Sequence, residues 1–238
     1  MRGADVIDVK SRAFDHAQCA GLNMGMTSTI CRENLPELGA LIRFCCERSP
    51  AMTLLLLQPM QAGTGRCLTQ LESVDREMII HEIARSGAIS TMAAEDFLAT
   101  PTMPSIGLCT HPDCGALLPL VRHKRGWRPW VRELDMKRFL RTLNRIPVSS
   151  RRMTQLRFFF ALLRAGGIRS VMRARNWFSG GPGDALFLIT VDSVMHPERQ
   201  DCERLQRCSS CVCEADGTLT SLCSYYARPR PITRKETE

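Results

Sequence analysis

Two cysteine pairs carry the chemistry available to this chain. Cys109 and Cys114 close the run CTHPDC, and Cys208 and Cys223 close the run CSSCVCEADGTLTSLC. A thiolate is a soft anionic donor, so four of them drawn from two distant segments can hold one soft metal centre, an iron–sulfur cluster or zinc. Pro101, Pro104, Gly107 and Pro112 restrict the backbone around the first pair. Loops of this kind let thiolates converge while backbone N–H groups stay free to bond the sulfurs. Alone, C-x4-C is a weak pattern that two surface cysteines would also satisfy. Cys211 and Cys213 lie inside the second pair, so Cys208, Cys211, Cys213 and Cys223 form a rival ligand set for a self-contained zinc site.

Composition bounds what can surround such a site. The chain has 238 residues, 44% hydrophobic and 24% charged, enough for one or two modest cores. Its twelve cysteines follow no charged–apolar–small leader, so reduced thiols held for metal fit better than a disulfide framework, and a cytoplasmic setting is expected. No apolar run approaches the ~20 residues of a membrane-spanning helix. Net charge is +8, concentrated between Arg122 and Arg175, where sixteen lysines and arginines stand against Glu133 and Asp135. The rest of the chain is therefore net acidic. A block this basic meets phosphate, on lipid headgroups or on nucleic acid.

The elements that must position the cysteines begin as alternating helix and strand. Val6, Val9, Ala13, Ala17 and Ala20 recur at helical spacing up to Gly21. Residues 22–30 read as a strand. Asn34 and Pro36 open a helix whose Leu38, Leu41, Ile42 and Cys45 form one apolar stripe, and Met52 to Gln58 is the next strand. Short joints between these elements imply parallel pairing. Val74, Met78 and Ile79 mark a helix before Gly87, and Leu186 to Val191 a late apolar strand. The glycine run at 179–183 is too weak to read as a phosphate cradle, and the tail after Tyr226 is expected to be disordered.

Beyond spacing, the residues resemble a family. His111-Pro112 within the first cysteine pair, Arg207-Cys208, Asp216-Gly217 and Cys223-Ser-Tyr225 resemble the carboxy-terminal half of radical S-adenosylmethionine enzymes similar to tetraether lipid synthase. RGADVIDVKSRAFDHAQCAGL, ENLPELGALIRF and LLLLQPMQAGTGR resemble later strands and helices of that family's partial barrel. The likeness covers residues 2–114 and 193–226 and is patchy between. It implies an α/β fold with a partial (β/α) barrel remnant over residues 1–100. An irregular α+β cysteine-rich region would follow over 101–238, carrying a basic helical insertion at about 118–180. It also implies an auxiliary [4Fe-4S] cluster on Cys109, Cys114, Cys208 and Cys223, with cofactor or substrate contacts at Thr29, Gln58 and Arg66. The implied activity is radical C–C bond formation on lipid chains.

The family's C-x3-C-x2-C motif, which holds the catalytic cluster, is absent from the spacing of the twelve cysteines. As it stands the chain is expected to be inactive alone, with S-adenosylmethionine bound only if the missing amino-terminal half, or a partner chain, is supplied. The alternative is a non-catalytic iron–sulfur or zinc module on acidic lipid or nucleic acid. Trp127, Trp130 and Trp177 lie among the arginines, and Met153 to Ala165 reads as an apolar, basic helix ended by Gly166-Gly167. This combination suits an ordinary solvated insertion, or contact with an anionic lipid surface or with nucleic acid, and the resemblance to lipid-acting enzymes puts the lipid surface ahead.

Overall fold

A computed structural model of the chain describes residues 7–49, 51–60, 72–99, 111–123, 126–143, 151–178, 186–195, 200–208 and 210–228. Helix α1 (Ile7–Cys19) leads through Gly21, at φ +67°, into β1 (Met24–Ile30). A turn started by Pro36 opens α2 (Leu38–Glu47), and β2 (Met52–Pro59) follows. Helix α3 (Arg76–Arg85) begins where the Met78 N–H donates to the Asp75 carboxylate at 2.7 Å, a side-chain cap on otherwise unpaired amides. Then come β3 (Leu98–Ala99), β4 (Gly115–His123), β5 (Gly126–Pro129), α4 (Met136–Leu143) and α5 (Arg151–Phe178). The chain closes with β6 (Leu186–Asp192), α6 (Cys202–Gln206), β7 (Cys211–Cys213), β8 (Leu219–Ser221) and α7 (Leu222–Ala227).

Six strands form one mixed α/β sheet in the order β1, β2, β6, β4, with β3 and β5 each pairing the far edge of β4. Strands β1, β2 and β6 run parallel, and β4 is antiparallel to β6. The sheet is open, not a closed barrel, and β4 departs from the all-parallel order of one. Strands β1 and β2 pair in parallel, as the short joints imply, and β1 is an edge strand among the described residues. The stretch 118–129 at the head of the basic region is strand for the most part rather than helix.

Strand periodicity divides the sheet into two unlike faces. Leu55, Leu57, Leu118, Leu120, Ile189 and Val191 point to one face and are fully buried, together with Ile42 of α2 and Ile79 of α3. On the other face Leu54, Leu56, Leu117, Pro119, Leu188 and Thr190 are only half-buried. A second core joins Trp130, Leu134, Phe139, Ala161, Leu162 and Leu186 between α4, α5 and the start of β6. Asp96 and Arg132 tie the two cores together with paired hydrogen bonds of 2.7 Å each, Asp96 being buried.

Helix α1 behaves differently from its stripe. None of its residues is buried and Val9 is exposed; only Phe14 reaches the core, meeting Phe44 edge to face at 6.1 Å. A bulky ring, not the small Val/Ala row, supplies the contact.

Candidate functional site at the carboxyl ends of the parallel strands

Thr29, Gln58 and Asp192 occupy one row across the sheet. Thr29 is in register with Gln58, and Leu57 with Val191, which places Asp192 next to Gln58 at the carboxyl ends of β1, β2 and β6. The Gln58 Nε2 donates to Asp192 Oδ2 at 3.3 Å, so both side chains lie on the half-open face. Burial pushes the Asp192 carboxyl above its usual range, and the Gln58 amide opposes that by stabilising the anion. Thr29 is exposed at the free edge, where its carbonyl accepts from Asn34 Nδ2 at 3.0 Å. Open α/β sheets place ligand contacts at this end, because strand ends and the loops beyond them can diverge around a bound group. Arg66 lies outside the described residues.

The row runs directly into the first cysteine segment. Gly115 pairs with Asp192, and the Ser193 N–H donates to the Cys114 carbonyl at 2.9 Å, so Cys114 sits at the same edge. Its turn, Pro112–Cys114, is capped by His111, whose Nδ1 accepts the Asp113 N–H at 3.3 Å. His111 therefore shapes the loop that carries the thiol. Cys109 lies outside the described residues.

Arg204 links this edge to the second cysteine segment. It stands in the first turn of α6, whose amides are capped by the Asp201 carboxylate. Its Nη2 donates to the Ser193 carbonyl at 2.6 Å and approaches Cys114 Sγ at 3.8 Å. Its Nε is buried with no hydrogen-bond partner among the described residues. Cys208 lies four residues on, its thiol bonding the Ser210 carbonyl at 3.1 Å. Cys223 rides on α7. Burial raises its thiol, a backbone bond from Met195 works the other way, Cys208 and Cys114 add repulsion, and Arg204 relieves it. The Cys223 thiol thus lies within electrostatic reach of Cys208, Arg204 and Cys114.

The arrangement is not a closed coordination shell. Among the described residues, no three His, Cys, Asp or Glu side chains surround one point as metal ligands do. Cys211 and Cys213 project from the β7–β8 hairpin and are exposed, with Cys211 Sγ 3.6 Å from the Cys208 carbonyl. Two members of this site escaped sequence reasoning. Asp192 is signalled by an acid closing the apolar run LFLITV, and Arg204 by standing one helical turn before Cys208. No protein-family model matches the chain, and no curated protein sequence matches it.

Proposed function

We propose that this chain is the substrate-side half of a radical S-adenosylmethionine enzyme resembling tetraether lipid synthase, binding an auxiliary iron–sulfur cluster. Cys109, Cys114, Cys208 and Cys223 are its ligands. The observation that supports this most is the Arg204 guanidinium, which approaches Cys114 Sγ at 3.8 Å, stands one helical turn before Cys208, and keeps a buried Nε donor unmet among the described residues. Soft thiol donors with a cation beside them suit an anionic thiolate cluster, whose sulfurs accept hydrogen bonds and whose potential depends on them. Bound there, a cluster supplies one-electron chemistry that no side chain can perform.

The half-open sheet face supports the partial-barrel part of the reading. A barrel strand buries one face under helices and turns the other to the interior, where ligands meet the carboxyl ends. Thr29, Gln58 and Asp192 line that end here, and they orient the substrate or cofactor by hydrogen bonding. The free edge of β1 receives the strands that carry the C-x3-C-x2-C motif, from another chain or segment. Joining lipid chains by radical C–C bond formation is the reaction the resemblance supplies.

A second reading rests on one observation. Cys211 and Cys213 are exposed on β7, Cys208 stands three residues before that strand, and with Cys223 they offer zinc a ligand set from a single segment. Anaerobic iron and acid-labile sulfide analysis separates the two, run on the protein and on a Cys114→Ser/Cys223→Ser variant. About four irons and four sulfides per chain, lost in the variant, are expected. Zinc without sulfide would support the hairpin site, and no metal at all would overturn both.

A further inference from the structure

Helix α5 presents apolar side chains on two opposite sides. Ala161 and Leu162 are buried in the second core, with Phe158 and Phe159 packed against it. On the other side Met153, Leu156, Phe160 and Leu163 follow one another at spacings of three, four and three residues, and they are 45%, 53%, 59% and 43% exposed. Beyond the kink at Gly167 (φ 68°, ψ −172°), Ile168 and Met172 on the following helical arm are also exposed, at 64% and 56%. Six of the ten large apolar side chains exposed among the described residues thus belong to the two joined arms of Arg151–Phe178, which scattered surface hydrophobics would not produce.

The charge around this row has one sign. From Met136 to Gly183 the sequence contains no Asp or Glu. Arg164 and Arg169 are exposed on α5, and Lys137, Arg138 and Arg141 are exposed on the adjoining α4. Arg157 is half-buried beside the row, with an Nη1 that has no hydrogen-bond partner among the described residues.

We propose that α5 lies flat on an anionic lipid surface, its exposed row entering the boundary between headgroups and acyl chains while the arginines meet lipid phosphates. An aliphatic row beside cations needs a partner that offers apolar depth and negative charge within a few ångströms of each other, and a bilayer interface does. Nucleic acid offers phosphate, but of the six exposed side chains only Phe160 can stack on a base. The helix rests on the surface rather than crossing it, since no helix among the described residues is long and apolar enough to span a membrane. No cysteine takes part, so the inference stands apart from the cluster reading.

Flotation with vesicles tests it. The full chain is expected to bind phosphatidylcholine vesicles containing about a third phosphatidylglycerol and not pure phosphatidylcholine, with binding weakened by salt. Leu156→Gln/Phe160→Gln is expected to weaken binding about tenfold or more, and Arg164→Gln/Arg169→Gln to weaken it several-fold. Both pairs are exposed, so circular dichroism and gel filtration should match the parent protein. Failure to bind anionic vesicles overturns the proposal. So does binding that survives Leu156→Gln/Phe160→Gln, a shift of that variant from dimer to monomer without vesicle binding, or a preference for RNA over vesicles.

Discussion

Helices α2 and α5 show two ways of using apolar residues in one molecule. In α2 the apolar side chains gather on one side and vanish into the core: Leu38, Ile42 and Cys45 are essentially inaccessible. In α5 a thin buried face of Ala161 and Leu162 is matched by a broader exposed one. The periodicity of a helix reports that a face is apolar; it does not report what covers that face. Hydrophobic content therefore stabilises the fold in the first helix and remains available for a partner in the second.

Core truncation gives the largest expected contrast. Leu55→Ala, in β2 beneath α2 and wholly buried, is expected to lower stability by about 2–5 kcal/mol in urea unfolding. Leu156→Ala on the exposed row of α5 should change it by no more than about 0.5 kcal/mol. Equal losses would show that the row is already covered and would erase the distinction. A smaller effect is expected at the kink. Gly167 holds a φ/ψ combination that side chains other than glycine's avoid, so Gly167→Ala should cost about 1–3 kcal/mol by thermal unfolding. An unchanged melting temperature would mean that the two arms of α5 are not held at a fixed angle.

The mildest test is chemical. Burial pushes the thiols of Cys45 and Cys46, on the core side of α2, up to about 12 from the usual 9.0. Since the folded value is above the unfolded one, their contribution to stability is full below pH 9.0 and is lost as pH rises through about 12. At pH about 8, iodoacetamide should modify exposed Cys19 and Cys202 quickly and leave Cys45 and Cys46 unmodified until the protein unfolds. Rapid modification of Cys45 in the folded protein would place α2 alongside α5 as a loosely covered helix.

The parallel β1–α2–β2 unit is legible because apolar runs, Pro36 and short joints all point to it. The β4–β5 hairpin is not. Its arginines draw the eye to a solvated helix, and Pro119 argues against an interior strand. The fold resolves that conflict locally: β3 pairs β4 at residues 116–117 and β5 pairs it at 120–123, so Pro119 faces the gap between them, where no ladder donor is needed. Gly166-Gly167 reads as a helix end, and it is one: Gly167 leaves helical geometry and a second helical arm follows, which the sequence pattern does not signal, while Gly166 lies too close to Leu134 and Ser170 for any Cβ. At the candidate site, Thr29 and Gln58 are visible as polar residues near strand ends. Their alignment with Asp192 depends on register between strands more than 130 residues apart, which local patterning does not encode.

The position of β6 between β2 and β4 orders events during synthesis. Until Leu186–Asp192 leaves the ribosome, β1 and β2 can form only a parallel pair, and β4 can pair only with β3 and β5. Two apolar strand edges thus stay open until then, closed at last by a segment whose pairing with β2 spans the longest loop in the sheet. Chains released before residue 192 lack that closing strand and expose both edges to neighbouring copies. Yield should then depend on the speed and fidelity with which the codons up to residue 192 are read.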